Sequence, residues 1–246
     1  MISKFDLCYT LFIYLSFQWT RSPNPTRYQV CDVSLPPSNT QPDDWLISDQ
    51  VSIRDANRID ITVDYFIRSC SNFPNNGGSY CVDAFGLYVN QSDQFIVDGV
   101  YYPDPRIDSA YERVTEIKQA IDSRNSETIN FLPKGKYIIL AFRNYGACGT
   151  LFSVKVTYNV CPDETLNNRL VSLPRTVAPV NESSFIQVEG NCTKDAVEVP
   201  GSLFAHCESN GEWNTTGLQG RCICKEDMQN NGGICEGRSH LQKVLH

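Results

Sequence analysis

Cysteine is the residue through which this chain has most chemistry open to it, with eleven spread along 246 residues. That is well above ordinary usage, though below the density of a pure disulfide scaffold. Thiols in such numbers either form bridges in an oxidising compartment or hold metals and exchange electrons in a reducing one. A zinc site needs clustered ligands such as paired C-x2-4-C motifs. Here the only close pair is Cys222-Ile223-Cys224, and the histidines are just His206, His240 and His246. The pattern therefore implies disulfides and no metal. N-x-[ST] sequons at Asn90, Asn181, Asn191 and Asn214 add glycosylation acceptors that suit the same compartment.

Catalytic constellations are missing from the sequence. There is no G-x-S-x-G, no H-E-x-x-H, no P-loop and no kinase-type glycine loop or catalytic loop. Asp43-Asp44, and Asp104 with Asp108, are carboxylates in turn-like sequence, where solvation or local turn bonding accounts for them. The formal net charge of −7, with no basic run, argues against nucleic acid or an anionic membrane surface as partner. What remains is a non-enzymatic binding protein without a cofactor. A carbohydrate-binding β-sandwich is one such class, for which the loop Asp98 to Asp108 with Tyr101-Tyr102 supplies acids and aromatics.

The elements that would position these residues are strands. Ile59, Ile61, Val63 and Tyr65 alternate with Asp60, Thr62 and Asp64, the pattern of a half-buried strand. Phe152, Val154, Val156 and Tyr158 alternate in the same way with Ser153, Lys155 and Thr157. The run Tyr137 to Phe142 is apolar throughout and reads as a strand covered on both faces. Turn clusters separate these runs at Pro36-Pro37-Ser38-Asn39, Pro74-Asn75-Asn76-Gly77-Gly78 and Pro133-Lys134-Gly135-Lys136. Many short strands with polar turns predict an all-β fold built on a two-sheet sandwich. One segment dissents, since Ala110, Val114, Ile117 and Ile121 fall at helical spacing.

Lys4 followed by the apolar stretch Leu7 to Phe17 has the charge and length of a signal peptide and is too short to span a membrane. Residues 1–20 are read as that leader, with an N-terminal strand as the alternative. Removing the leader takes Cys8 with it and leaves an even number of cysteines. After Cys161-Pro162 the strands shorten and cysteines become dense. There, bridges must do what a core does elsewhere. The tail from Glu236 to His246 is polar and lacks cysteine, which predicts fraying.

Several segments resemble the Eph receptors. Arg27 to Val33, Asp44-Trp45-Leu46, Ile67 to Pro74, Cys81 to Tyr88, Lys134 to Phe142, Gly146-Ala147-Cys148 and Val154 to Tyr158 are similar, in order and approximate spacing, to the ephrin-binding domain of that family. Gly190-Asn191-Cys192, His206-Cys207 and Gly211-Glu212-Trp213 before Cys222 resemble the sushi-type module that follows it. Cys224 to Cys235 resembles the opening of an epidermal-growth-factor-like (EGF-like) module.

The resemblance implies a jelly-roll-type β-sandwich over 21–161, a small disulfide-stapled sushi-like module over 162–222, and an incomplete EGF-like piece with a tail over 223–246. It also implies five pairings that spacing alone leaves open: Cys31–Cys148, Cys70–Cys81, Cys161–Cys207, Cys192–Cys222 and Cys224–Cys235. The family's domain begins with further residues that form its first strands, and here only the region around Trp19 stands in their place.

By the same resemblance the function is ephrin recognition at a cell surface, with receptor clustering and tyrosine-kinase signalling belonging to the full-length family. A secreted decoy form is the alternative. The ligand is expected to insert an apolar, acid-bearing loop into a channel on the sandwich. Arg68 matches the family's cation, whose planar guanidinium can hold a carboxylate by two parallel hydrogen bonds. Phe73 and Pro74 are candidate lining residues inside the loop closed by Cys70 and Cys81. Val33 and Phe152 occupy further matching positions, where plain core packing is the competing role. Trp213 is expected to fill the sushi-like core.

Overall fold

The computed structural model describes residues 4–8, 12–14, 19–23, 26–31, 41–77, 80–96, 103–107, 109–121 and 123–237. Val33, Asp98, Tyr101, Tyr102, Asp108 and the tail from residue 238 lie outside the described residues. Two compact units are formed, one of residues 6–157 and one of residues 1–5 with 158–246.

Along the chain, β1 (Lys4–Cys8) and β2 (Phe12–Tyr14) come first, followed by β3 (Thr20–Pro23) and β4 (Thr26–Cys31). Next are β5 (Asp44–Ser48), the two-residue β6 (Val51–Ser52) and the long β7 (Ile59–Ile67). Two 3-10 turns, Cys70–Asn72 and Pro74–Gly77, lead into β8 (Ala84–Ser92). Then follow β9 (Tyr111–Lys118), β10 (Asn125–Phe131), β11 (Tyr137–Asn144) and β12 (Cys148–Cys161). One sheet has the order β10-β7-β12-β4-β3, and the other has the order β2-β5-β11-β8-β9 with β6 beside β11.

Alternation explains the layers. In β7, Ile59, Ile61, Val63, Tyr65 and Ile67 are buried while Asp60, Thr62, Asp64 and Phe66 face outward. Strand β11 is buried on both faces, because Ile139 and Ala141 join Trp45 and Ile47 in a separate apolar cluster on one of them. Ile138, Leu140 and Phe142 are buried on the other. Trp45 meets Tyr88 edge-on at 4.8 Å within the first of these clusters.

Two expectations change, and the N-terminal stretch has described strand partners. The stretch read as a leader contains β1 and β2, and β2 pairs with β5 through Phe12↔Ser48, Ile13↔Ile47 and Tyr14↔Leu46. Trp19 is buried against Phe85 at 5.5 Å, and its Nε1 donates to the Asp44 carbonyl at 3.5 Å. Of the four residues at helical spacing, Val114 and Ile117 lie in strand β9, which pairs with β8, while Ala110 and Ile121 flank it. The register shifts opposite Leu87 and Tyr88, leaving Val114 without a partner in β8, and of the four apolar residues only Ile117 is fully buried. Finally, Asn90 is 7 % exposed in β8, between Tyr111 of β9 and Ile139 of β11. That position has no room for a glycan in the folded sandwich, whereas Asn181 and Asn191 are exposed and Asn214 is half-buried.

The second unit has little core and many bridges. Leu170, Val171, Leu173, Leu203, Ala205 and Leu218 form one small cluster, completed by Cys222 and Cys235. Cys161, Ala178 and Cys207 form another, against which Trp213 packs. The Trp213 Nε1 donates to the Pro162 carbonyl at 2.6 Å. Cys161–Cys207, Cys192–Cys222 and Cys224–Cys235 staple this unit, the last closing the hairpin of Met228–Asn231 and Ile234–Gly237.

Candidate functional site

Four strands of the first sheet bring distant parts of the sequence into two transverse rows on its outer face. Strand β12 pairs with β4 through Cys148↔Cys31 and Thr150↔Gln29, and with β7 through Thr150↔Phe66. Thr20 of β3 pairs with Gln29. One row is thus Phe66, Thr150, Gln29 and Thr20, and the next is Arg68, Cys148 and Cys31. Arg68 is held in the second row by its own amide, which donates to the Cys148 carbonyl at 2.9 Å.

Over these rows lies a cavity of about 530 Å³ lined by Thr20, Gln29, Val30, Cys31, Phe66, Arg68, Cys148, Gly149 and Thr150. Its size falls in the range of ordinary recognition pockets. The Cys31–Cys148 disulfide forms part of the wall, with Phe66 as a second apolar contribution. Polar groups are interleaved: Gln29 Nε2 donates to Thr150 Oγ1 at 3.3 Å, and Thr20 Oγ1 donates to the Gln29 carbonyl at 3.3 Å. The lining is therefore mixed and not the apolar one expected. Gly149 permits the close approach of β12 to β7, since a Cβ there would sit 2.5 Å from the Phe66 carbonyl oxygen and 2.7 Å from the Phe85 ring.

Among the described residues, Arg68 is the only charged one lining the cavity. Its Nη2 donates to the Asn72 carbonyl at 3.2 Å, and the guanidinium lies 4.4 Å from the centre of the Phe73 ring. A ring face below and a single carbonyl beside it leave other donors of the fork available to a carboxylate. No described carboxylate forms an ion pair with it.

The rim that carries Phe73 is tied down at both ends. Cys70–Cys81 closes it, the Cys70 amide donates to Asp83 Oδ1 at 2.6 Å, and the Val82 amide donates to the Gly146 carbonyl at 3.1 Å. Within it, the Ser69 hydroxyl accepts from the Ser71 amide at 3.3 Å and the Phe73 amide donates to the Cys70 carbonyl at 3.1 Å. The Gly146 turn is itself set by Asn144, whose buried Oδ1 accepts from the Ala147 amide at 2.8 Å.

Of the residues singled out from sequence, Arg68 lines the cavity and Phe73 lies under its guanidinium. Pro74 follows as an exposed residue opening the second 3-10 turn. Phe152 is placed elsewhere: it sits at the β12 bulge between Leu151 and Ser153, half-buried, with the Arg124 guanidinium 4.7 Å from its ring centre. The bulge turns Phe152 out of the inward set of Val154 and Val156. Sequence reasoning missed Gln29, Thr150, Phe66 and Thr20, because only the strand register brings them together. Of the turn carboxylates, Asp104 is engaged locally by Arg106 at 2.6 Å, whereas Asp43 pairs at 2.7 Å with Arg143, 100 residues further along the chain.

Residues 13–161 match the family described as ephrin receptor ligand binding domain, and residues 164–224 match ephrin cysteine rich domain. Ephrin type-B receptor 2 of Gallus gallus is 30 % identical over 222 residues, covering 85 % of this chain and 21 % of that protein. Ephrin type-A receptor 5 of Rattus norvegicus is 32 % identical over 219 residues, covering 85 % and 20 %. The human type-A receptor 5 is 31 % identical over the same length. This chain thus spans about a fifth of the length of these relatives. Among solved structures, the K1 cleaved adhesin domain of Lys-gingipain from Porphyromonas gingivalis W83 is similar at a TM-score of 0.35 and 12 % identity, covering 63 % of this chain and 97 % of that one. A likeness of that degree carries no argument.

Proposed function

The chain belongs to the ephrin receptor family, and from that premise we propose that its sandwich captures an ephrin on the outer face of the β7-β12-β4-β3 sheet. The observation that supports this reading is the placement of Arg68 as the one charged residue, among those described, of a disulfide-walled cavity, inside the segment matched to the ligand-binding family. An acid-bearing loop entering the cavity sets its apolar atoms on Phe66 and the Cys31–Cys148 sulfurs. It presents polar groups to Gln29 and Thr150, and places a carboxylate on Arg68. The fork then gains a charged acceptor while keeping the Phe73 ring beneath it, a contact worth about 1.5–3 kcal/mol.

Binding of this kind is non-catalytic. The reading comprises a binding sandwich that ends at residue 161, a sushi-like module over 162–222, and the opening of an EGF-like module from 223. Five bridges suit an oxidising, extracellular location. Among the described residues no helix is long and apolar enough to cross a membrane. Asn181, Asn191 and Asn214 are the glycan acceptors consistent with their exposure.

The test is surface plasmon resonance of the whole chain on immobilised ephrin ectodomains, with Arg68→Ala and Arg68→Glu alongside. Losing the Arg68 contact should weaken binding about ten- to a hundredfold, and the reversed charge should abolish it. A folded wild-type chain that binds no ephrin refutes the reading.

A further inference from the structure

The strand that supplies Gln29 and Cys31 to the cavity carries a second arginine on the same face. In β4, Tyr28 and Val30 are buried, and Arg27 alternates with them, as Gln29 and Cys31 do. Arg27 is half-buried, and its Nε is shielded from solvent without a hydrogen-bond partner. Among the described residues no hydrogen bond, ion pair or ring engages its guanidinium.

That is unusual within this unit. Arg58, Arg106, Arg113, Arg124 and Arg143 each pair with a carboxylate. Arg21 has no such partner but is exposed, so water serves it. Only Arg27 combines partial burial, a shielded unmet donor and no partner. Shielding a charged donor without an acceptor is unfavourable, and an anion arriving from outside would relieve that cost.

We propose that Arg27 is a second carboxylate-recognition point on the ligand-binding face, acting with Arg68 on one acidic protein segment. This rests on the ephrin-binding reading and narrows the ligand's chemistry. Arg27 stands four residues along β4 from Cys31, about 13 Å at the rise of an extended strand. Strand β7, which carries Arg68, lies two strands away from β4, about 10 Å. The two cations are therefore anchored on the order of 16 Å apart. An extended segment covers that distance in about five residues. The ligand should thus carry two acidic side chains spaced by about that many residues, with the polar pair Gln29 and Thr150 beneath the chain between them.

The experiment has two arms. On immobilised ephrin ectodomains, Arg27→Glu should weaken binding at least tenfold and Arg27→Gln by about threefold to tenfold, with thermal melts showing that both variants fold. Arg27→Glu within twofold of wild type overturns the proposal. In the second arm, the wild-type chain is titrated with a hexaglutamate peptide while the ¹H–¹⁵N signals of the arginine Nε groups are followed. The Arg27 and Arg68 signals should move with one midpoint. Movement of Arg68 alone, or of neither, overturns the proposal. If wild type binds no ephrin, the ephrin reading fails by itself, and the peptide titration decides the role of Arg27.

Discussion

Removing the rim bridge by Cys70→Ala with Cys81→Ala should separate the stability of the sandwich from the readiness of its site. The two cysteines are 11 residues apart, and closing a loop of that length accounts for about 2.7 kcal/mol in the chain-entropy model. In a unit of this size such a loss lowers the melting temperature by about 5–10 °C, so the sandwich remains folded at 25 °C. The binding effect has another origin. Without the bridge, the segment is still tethered by Cys70 to Asp83 and by Val82 to Gly146, but the Phe73 shelf under Arg68 is free to sample other positions. Re-ordering two long side chains on binding costs about 0.5–1.5 kcal/mol each, together about 5- to 150-fold in Kd.

The assay pairs calorimetry with surface plasmon resonance on immobilised ephrins at 15 °C, well below the melting transition. A melting temperature lowered as stated, with Kd within twofold of wild type, would show that the rim is not an organised part of the site. Adding Arg68→Ala supplies the control: if the bridge acts by holding the shelf under Arg68, the affinity losses of the bridge variant and of Arg68→Ala will overlap and not add.

Gly149→Ala should cost about 1–3 kcal/mol by overpacking, read as a lower urea midpoint, because neither the Phe66 carbonyl nor the Phe85 ring can retreat without disturbing a sheet; an unchanged midpoint would contradict the close approach of β12 to β7. The Tyr145 hydroxyl, 2.5 Å from Glu116, holds that carboxyl below its usual range, burial opposes the shift, and Arg113 and Lys118 add to the lowering. A carboxyl whose folded pKa is depressed gives stability that is complete above the ordinary carboxylate value of about 4 and is lost as pH falls below it. The urea midpoint of Glu116→Gln should therefore fall less than that of wild type between pH 6 and pH 3, and parallel curves would refute the assignment. Burial first, and then the Glu116 contact, push the Tyr145 hydroxyl up to about 12. Its phenolate signal should appear near that pH in an ultraviolet titration and vanish in Tyr145→Phe. Enzymatic deglycosylation with peptide mapping of the secreted chain should find Asn90 unmodified, and a glycan there in folded protein would place β8 wrongly.

Much of the sandwich could be read from pattern. The alternation from Ile59 to Tyr65 and the double-sided run from Tyr137 to Phe142 follow from side-chain period and polarity, which are local properties. Where reading fails, a non-local event intervenes. Pairing with β8 makes Tyr111–Lys118 a strand despite its helical spacing, with Val114 skipped in the register. The bulge between Leu151 and Ser153 takes Phe152 out of the inward set. The site divides along the same line. Arg68 stands out by type and by its neighbours in sequence, whereas Gln29, Thr150 and Phe66 become neighbours only through the register of β4, β12 and β7. The ten paired cysteines do not reveal their partners by spacing; the likeness to a family supplied the pairing.

The two bridges of the sandwich have different tasks, and the difference bears on how a net negative protein can take an acidic ligand. Cys31–Cys148 joins directly opposed residues of neighbouring strands, so the wall it forms is fixed by a sheet ladder as well as by sulfur. Cys70–Cys81 instead restrains a segment without a ladder, and the cation it steadies lies at the edge of that segment. With a formal charge of −7, the chain as a whole repels an acidic partner at long range. At physiological salt such repulsion is screened beyond about 8 Å. Selectivity then has to arise within a few ångströms, from donors already aimed before contact. Arg68 over Phe73, and Arg27 with its shielded Nε, are the donors proposed for that task, and the sheet holds them apart at a spacing that the proposed acidic segment would have to match.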